Sequence, residues 1–250
     1  MAARVDYETH GVGYSRGRQA DPRIAARIEA ALGDARTVLN VGAGTGSYEP
    51  GDRWVLAVEP SATMRAQRPG DAAPCLAGTA EALPFDDDSV DAAMACVTIH
   101  HWQDRARGLA ELRRVARGPV VVFTFELGEL VGWQRDYFAE AIAIEEPRFG
   151  TAERVAAELG GEVRIERIPT PADCVDGFFE AFWNRPEAML DPLVRSSQSI
   201  WELIEPPAVE RIFDRLAGDL ESGRWDEEHG ALREQESYEG SLRLIISEPA

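Results

Sequence analysis

The chain contains no lysine; all 26 of its basic residues are arginine. No Schiff base to pyridoxal phosphate can form. No Walker-type phosphate lysine exists, and no lysine can act as a general base. Cysteine is scarce as well. Cys75, Cys96 and Cys174 lack metal-ligand spacing, and Cys75 and Cys96 fall in apolar runs that predict buried thiols. Only two of the four histidines, His100 and His101, are adjacent, which is no zinc signature. No metal is expected. Apolar runs are short, none near the roughly 20 residues of a membrane span. The N-terminal residues lack the apolar run of a secretory signal. The expectation is a cytoplasmic protein without a membrane partner. Basic charge is the minority: 44 acids leave a net charge of −18. Nucleic-acid backbones ask for a basic face, so nucleic acid is not an expected partner.

What is present fits one large domain spanning residues 1–250, a monomer or homodimer. Residues 1–20, polar and rich in glycine and arginine, read as an N-terminal arm. Asp21-Pro22 opens a helix as N-cap and first residue, Ile24, Ile28, Ala31 and Leu32 keep helical spacing, and Gly33 stops it. Strand-like runs follow at Val38–Val41, Val55–Val58, Cys75–Ala77, Ala92–Val97 and Val120–Phe125. Most are continuously apolar, the mark of strands buried on both faces in a parallel sheet. A helix spans about Asp104 to Arg117, and another 130–146. Val163–Ile168 reads as a sixth strand. Strands alternating with helices give a doubly wound α/β, Rossmann-like fold. Residues 170–236 differ: amphipathic helices, many aromatics and proline-broken turns. They read as a helical substrate cap over the carboxyl ends of the strands, where open α/β sheets bind ligands. Ser241–Ile246 then returns to a strand able to pair antiparallel at the sheet edge.

The most informative stretch is residues 37–59. A strand runs into a turn with Gly42, Gly44 and Gly46, and a second strand ends on Glu59. Glycines let a backbone approach a ligand closely, and a carboxylate can accept two hydrogen bonds from a ribose diol. The cofactor therefore contains a nucleoside. The G-x-G-x-G spacing departs from the dinucleotide fingerprint. Residues 42–53, with Pro50-Gly51 inside, leave hardly enough room for a crossover helix. A pyrophosphate depends on that helix's N-terminus, which argues against NAD or FAD.

The run Val38 to Gly46, Glu59-Pro60-Ser61, the segment Gly78 to Phe85 and Asp88-Ser89-Val90-Asp91 resemble the ordered motifs of class I S-adenosylmethionine-dependent methyltransferases. The likeness covers about residues 5–126 and extends to the small-molecule branch that includes quinone-biosynthesis enzymes. It implies a seven-stranded sheet whose last strand is antiparallel, and S-adenosyl-L-methionine as cofactor. It puts the methionine tail against Gly42, Ala43 and Gly44, and the ribose on Glu59. Pro60 and Ser61 would flank the adenine, bordered by Thr79, Ala80 and Glu81, with Cys96 and Val97 beneath the cofactor. Asn40 stands where the family usually has an acid; its amide can orient the loop or bind the ammonium. Thr79 stands where an Asp often meets the adenine amino group. Tyr14 and Arg18 lie on the arm, where relatives close over the cofactor, Arg18 facing its carboxylate.

The resemblance also places His100-His101-Trp102, after the fourth strand, beside the transferable methyl. Either histidine can serve as base, His101 ahead of His100; Glu126, ending the fifth strand, is a further candidate for base or amine binding. The implied activity is methyl transfer to a small organic acceptor at O, N or C, in specialised metabolism. The same architecture also suits an S-adenosylmethionine-binding cyclase or rearrangement enzyme, or a noncatalytic binding protein.

Overall fold

A computed structural model of the chain describes residues 6–9, 17–130 and 132–249. Helix α1 (Pro22–Ala31) starts as its signals dictate: the Asp21 carboxylate accepts from the Arg23 N–H, and Pro22 takes the first turn. Then come β1 (Thr37–Val41), β2 (Trp54–Val58), α2 (Ala62–Ala66), β3 (Cys75–Leu76), β4 (Ala92–Cys96), α3 (Arg105–Val115) and β5 (Val120–Phe125). Next are α4 (Trp133–Tyr137), α5 (Ala139–Phe149), α6 (Ala152–Leu159), β6 (Glu162–Arg167) and β7 (Thr170–Pro171). Helices α7 (Pro192–Ser196), α8 (Pro206–Glu221) and α9 (Arg224–His229) precede β8 (Ser237–Tyr238) and β9 (Leu242–Glu248).

Seven strands form one sheet in the order β3-β2-β1-β4-β5-β9-β6. Strands β1 to β5 pair parallel, and β9 runs antiparallel to both β5 and β6. This is the doubly wound, mostly parallel sheet expected from the sequence, with one correction. The last strand is not at an edge; it lies between β5 and β6. The chemistry of the two strands explains it. Leu242 to Ser247 are buried throughout, whereas β6 exposes Glu162, Arg164 and Arg167. The apolar strand goes inside and the charged one takes the edge.

Burial of β2 needs a second correction. Trp54 is 81% exposed and Leu56 37%, although their run is continuously apolar. They share a strand face with Val58, which packs in the core on the α3 side. Residues 77–91, which cross that face from β3 to β4, contain no helix to cover it. The crossover at residues 42–53 is likewise without a helix, as its length requires. Cys75 and Cys96 are half-buried as whole residues and Cys174 is buried; burial still pushes the Cys96 thiol above its usual range, and Cys75 sits on the edge strand β3.

The helix expected over 130–146 is two helices that meet at Phe138, a residue outside helical geometry whose ring packs against Trp133, Trp201 and Phe213. Helix α5 also runs through Pro147 and stops at Gly150, where φ is +72°. That extension carries Arg148 and Phe149. Between β7 and β8, which pair antiparallel, residues 172–236 hold the three helices α7 to α9 and several 3-10 turns.

Glu126, expected as a base or amine-binding group, lines neither of the cavities described below. Its Oε2 receives the Arg243 Nε–H at 2.7 Å and its Oε1 the Ala152 N–H at 3.1 Å. The carboxylate is committed to a buried arginine on β9 and to the first turn of α6. Removing one partner of a buried pair leaves the other charge uncompensated. Glu126→Ala is expected to lower the unfolding free energy by about 3–5 kcal/mol, measured by urea denaturation. An unchanged midpoint would contradict the assignment.

Candidate functional site

The turn after β1 is pinned to the end of β2. The N–H groups of Gly42 and Ala43 both donate to the Val58 carbonyl, at 2.8 and 3.1 Å. Gly42, Gly44 and Gly46 all have positive φ, +68°, +54° and +97°, a region that costs other residues energy. A Cβ on Gly42 would overlap the Thr98 side chain. Glu59 completes the anchor: its Oε2 accepts from the Gly44 N–H at 2.9 Å and its Oε1 from the Ser61 N–H at 2.8 Å. Burial pushes this carboxyl above its usual range, and those two N–H groups oppose the shift. Each oxygen keeps a further lone pair.

Around this turn lies a cavity of about 440 Å³ at the carboxyl ends of β1, β2 and β4. It gathers nearly every cofactor residue chosen from the sequence. Asn40, Gly42, Ala43 and Gly44 come from the first strand and turn. Glu59 and Pro60 come from the end of β2, and Thr79, Ala80 and Glu81 from the loop after β3. Cys96 and Val97 close it from β4, and Arg18 from the arm. Tyr14 lies outside the described residues. The Asn40 amide N–H donates to Glu49 Oε1 at 3.0 Å, and Glu49 is itself paired with Arg68 at 2.7 Å. The Asn40 amide is thus held by a carboxylate nine residues later, while Asn40 Oδ1 is buried without a hydrogen-bond partner. Glu81 Oε1 receives the Gln103 N–H at 2.7 Å and so ties its loop to the start of α3. Val97 has φ +51°, a strained conformation for a β-branched residue, of the kind that collects at functional sites.

A second, smaller cavity adjoins the first. Its walls include Phe125 on β5, Phe149 on α5, and Phe178 and Phe179 from the 172–236 segment. Tyr7, Arg18, Val97 and His101 line both cavities. At this junction Tyr7 Oη is 2.9 Å from His101 Nε2. Arg148 Nη2 lies 3.4 Å from His101 Nδ1. A guanidinium only donates, so in this contact Nδ1 is the acceptor. Arg148 Nη1 donates to Glu145 Oε1 at 2.6 Å. Burial pushes the Glu145 carboxyl above its usual range, opposed by Arg148. His100 belongs to the second cavity alone. It stacks on Phe149 with ring centroids 3.9 Å apart, and burial holds its imidazole well below the usual range. Arg18 is held by Asp176, Nε to Oδ1 at 2.6 Å, and Tyr48 donates to the same carboxylate at 2.8 Å.

Tyr7 and Glu145, which line these cavities, and Arg148, which contacts His101 and Glu145, are not among the residues selected from the sequence. One signal for Glu145 was available. It shares the buried stripe of α5 with Ala141, Ile142 and Phe149, and an acid in an apolar stripe at helical spacing asks for a partner.

Comparison with known proteins agrees with this geometry. A methyltransferase-domain family model matches residues 39–122. Uncharacterized methyltransferases of Mycobacterium bovis and Mycobacterium tuberculosis are 38% identical over 65% of this chain and 74% of theirs. A malonyl-[acyl-carrier protein] O-methyltransferase of Halorhodospira halophila is 26% identical over 83% of this chain and 66% of its own. A crystal structure assigned to an antibiotic-biosynthesis methyltransferase of Anabaena variabilis superposes with a TM-score of 0.87 at 29% identity, covering 92% of this chain and 98% of that one. The glycine turn, the sheet order and these relatives converge: the chain belongs to the class I S-adenosylmethionine-dependent methyltransferases.

Proposed function

We propose that the first cavity holds S-adenosylmethionine, that the second holds a small, partly apolar acceptor, and that the methyl group passes between them. The shared wall carries this reading: Tyr7, Arg18, Val97 and His101 border both spaces. The residues fit the cofactor. Asn40 Oδ1 is a buried acceptor awaiting a donor, suited to the methionine ammonium. Glu59 keeps lone pairs for the ribose hydroxyls. The turn at Gly42, Ala43 and Gly44 takes the methionine tail. Pro60, Thr79, Ala80 and Glu81 border the adenine, with Cys96 and Val97 beneath. Bound there, S-adenosylmethionine supplies an electrophilic methyl group on its sulfonium.

The chain's own residues then have three tasks. The phenylalanine wall excludes water and orients the acceptor, and positioning supplies much of the rate in an in-line displacement. The 170–236 segment acts as the cap that provides half of that wall. His101, in the wall that both cavities share, takes the acceptor's proton, and Tyr7 orients its ring. Arg18, locked by Asp176, serves as a fixed charge at the junction. The likeness to the Anabaena antibiotic-pathway structure supports a place in specialised metabolism.

Incubation with methyl-labelled S-adenosylmethionine and a panel of small aromatic acceptors tests the reading. Labelled product with S-adenosylhomocysteine is expected; cofactor binding without either would favour a scaffold role. Glu59→Ala is expected to weaken S-adenosylhomocysteine binding by ~2–3 kcal/mol, the scale of hydrogen bonds to a charged group. Calorimetry reads this, and unchanged affinity would remove Glu59 from the ribose. His101→Ala is expected to cut turnover by about 10²-fold while leaving cofactor affinity unaltered. A full-rate variant would reduce His101 to a packing role.

A further inference from the structure

The second cavity combines an aromatic wall with two polar side chains that each leave one buried atom without a hydrogen-bond partner. Glu145 is 2% exposed; its Oε1 is bound by Arg148, and its Oε2 is buried without a hydrogen-bond partner. His100, 8% exposed and stacked on Phe149, has a buried Nδ1 in the same state. Both residues line this one cavity. Buried polar atoms are almost always paired, and each exception calls for an explanation. A ligand that pairs with them supplies one.

Charge narrows the ligand. Arg148 already neutralises Glu145, at 2.6 Å. Arg18 in the same wall is neutralised by Asp176. Burial keeps His100 uncharged. The wall is therefore close to neutral. An ammonium buried here would add an uncompensated charge near Arg148, and an anion would meet the Glu145 carboxylate. A neutral donor meets neither penalty, and a flat ring suits the phenylalanines.

We infer that Glu145 selects the acceptor: a neutral aromatic compound whose ring hydroxyl donates to Glu145 Oε2, with His100 Nδ1 as the second polar contact. The inference rests on the reading of this cavity as the acceptor site. Glu145 here reads specificity and does not take the proton.

Ligand-observed NMR titrations of the full chain saturated with S-adenosylhomocysteine test it, with phenol, toluene and benzylammonium as probes. Phenol is expected to bind at least about tenfold more tightly than either of the others. Glu145→Gln should erase that preference without changing S-adenosylhomocysteine affinity, because the amide oxygen can keep Arg148 while its NH₂ replaces the acceptor with a donor. Equal binding of toluene or benzylammonium, binding of no probe, or a preference that survives Glu145→Gln would each overturn the inference. The wild-type comparison decides by itself if the variant does not fold. Failure of S-adenosylhomocysteine to bind the wild type strikes the proposed function instead, whereas cofactor binding without phenol preference strikes only this inference.

Discussion

The site depends on one buried carboxylate. Glu59 joins two pieces of backbone that would otherwise drift apart, accepting from Gly44 on the first turn and from Ser61 at the start of α2. Desolvation opposes the charge, and the two backbone N–H groups offset it. The anchor matters more here because the 42–53 crossover has no helix to brace the turn. Its remaining supports are the Val58 carbonyl, which receives two N–H groups, and the Glu49–Arg68 pair, which steadies Asn40. Once the turn is fixed, the ends of β1, β2 and β4 enclose a cavity of cofactor size.

A second set of contacts builds the other half of the site from distant chain segments. Helix α5 extends past Pro147 far enough to deliver Phe149 beside His100 and Arg148 beside His101. The 172–236 segment adds Phe178 and Phe179. Asp176, also from that segment, holds Arg18 and Tyr48 in the first cavity. One carboxylate thus ties the inserted segment to the first cavity.

The parts of this arrangement that were legible in the sequence are local. The glycine turn and Glu59 announce themselves because parallel strands bring successive loops to one end of a sheet, and the Thr79-Ala80-Glu81 segment follows from the family resemblance. Apolar runs also marked the seven strands of the main sheet, but not the short β7–β8 pair. What was not legible depends on tertiary pairing. Glu126 sits at a strand end, as a cleft residue would, but Arg243, more than a hundred residues later, turns it into the core. The edge position expected for β9 failed because relative burial of two strands is settled only when both compete for the interior. The helix expected to stop at 146 runs on to Phe149: one missing N–H at Pro147 near the last turn is tolerated, and Gly150 is the stop. The contact that holds the Asn40 amide, Glu49, lies nine residues on and is set by the path of the turn.

On the proposed reading, the two cavities meet where the methyl group is transferred. A crystal structure of the chain with S-adenosylhomocysteine tests it most directly. The account predicts ribose hydroxyls within hydrogen-bond distance of Glu59 and a sulfur facing the junction of Tyr7, Val97 and His101. A sulfur directed away from the phenylalanine-lined cavity, or a ribose that does not reach Glu59, would contradict it.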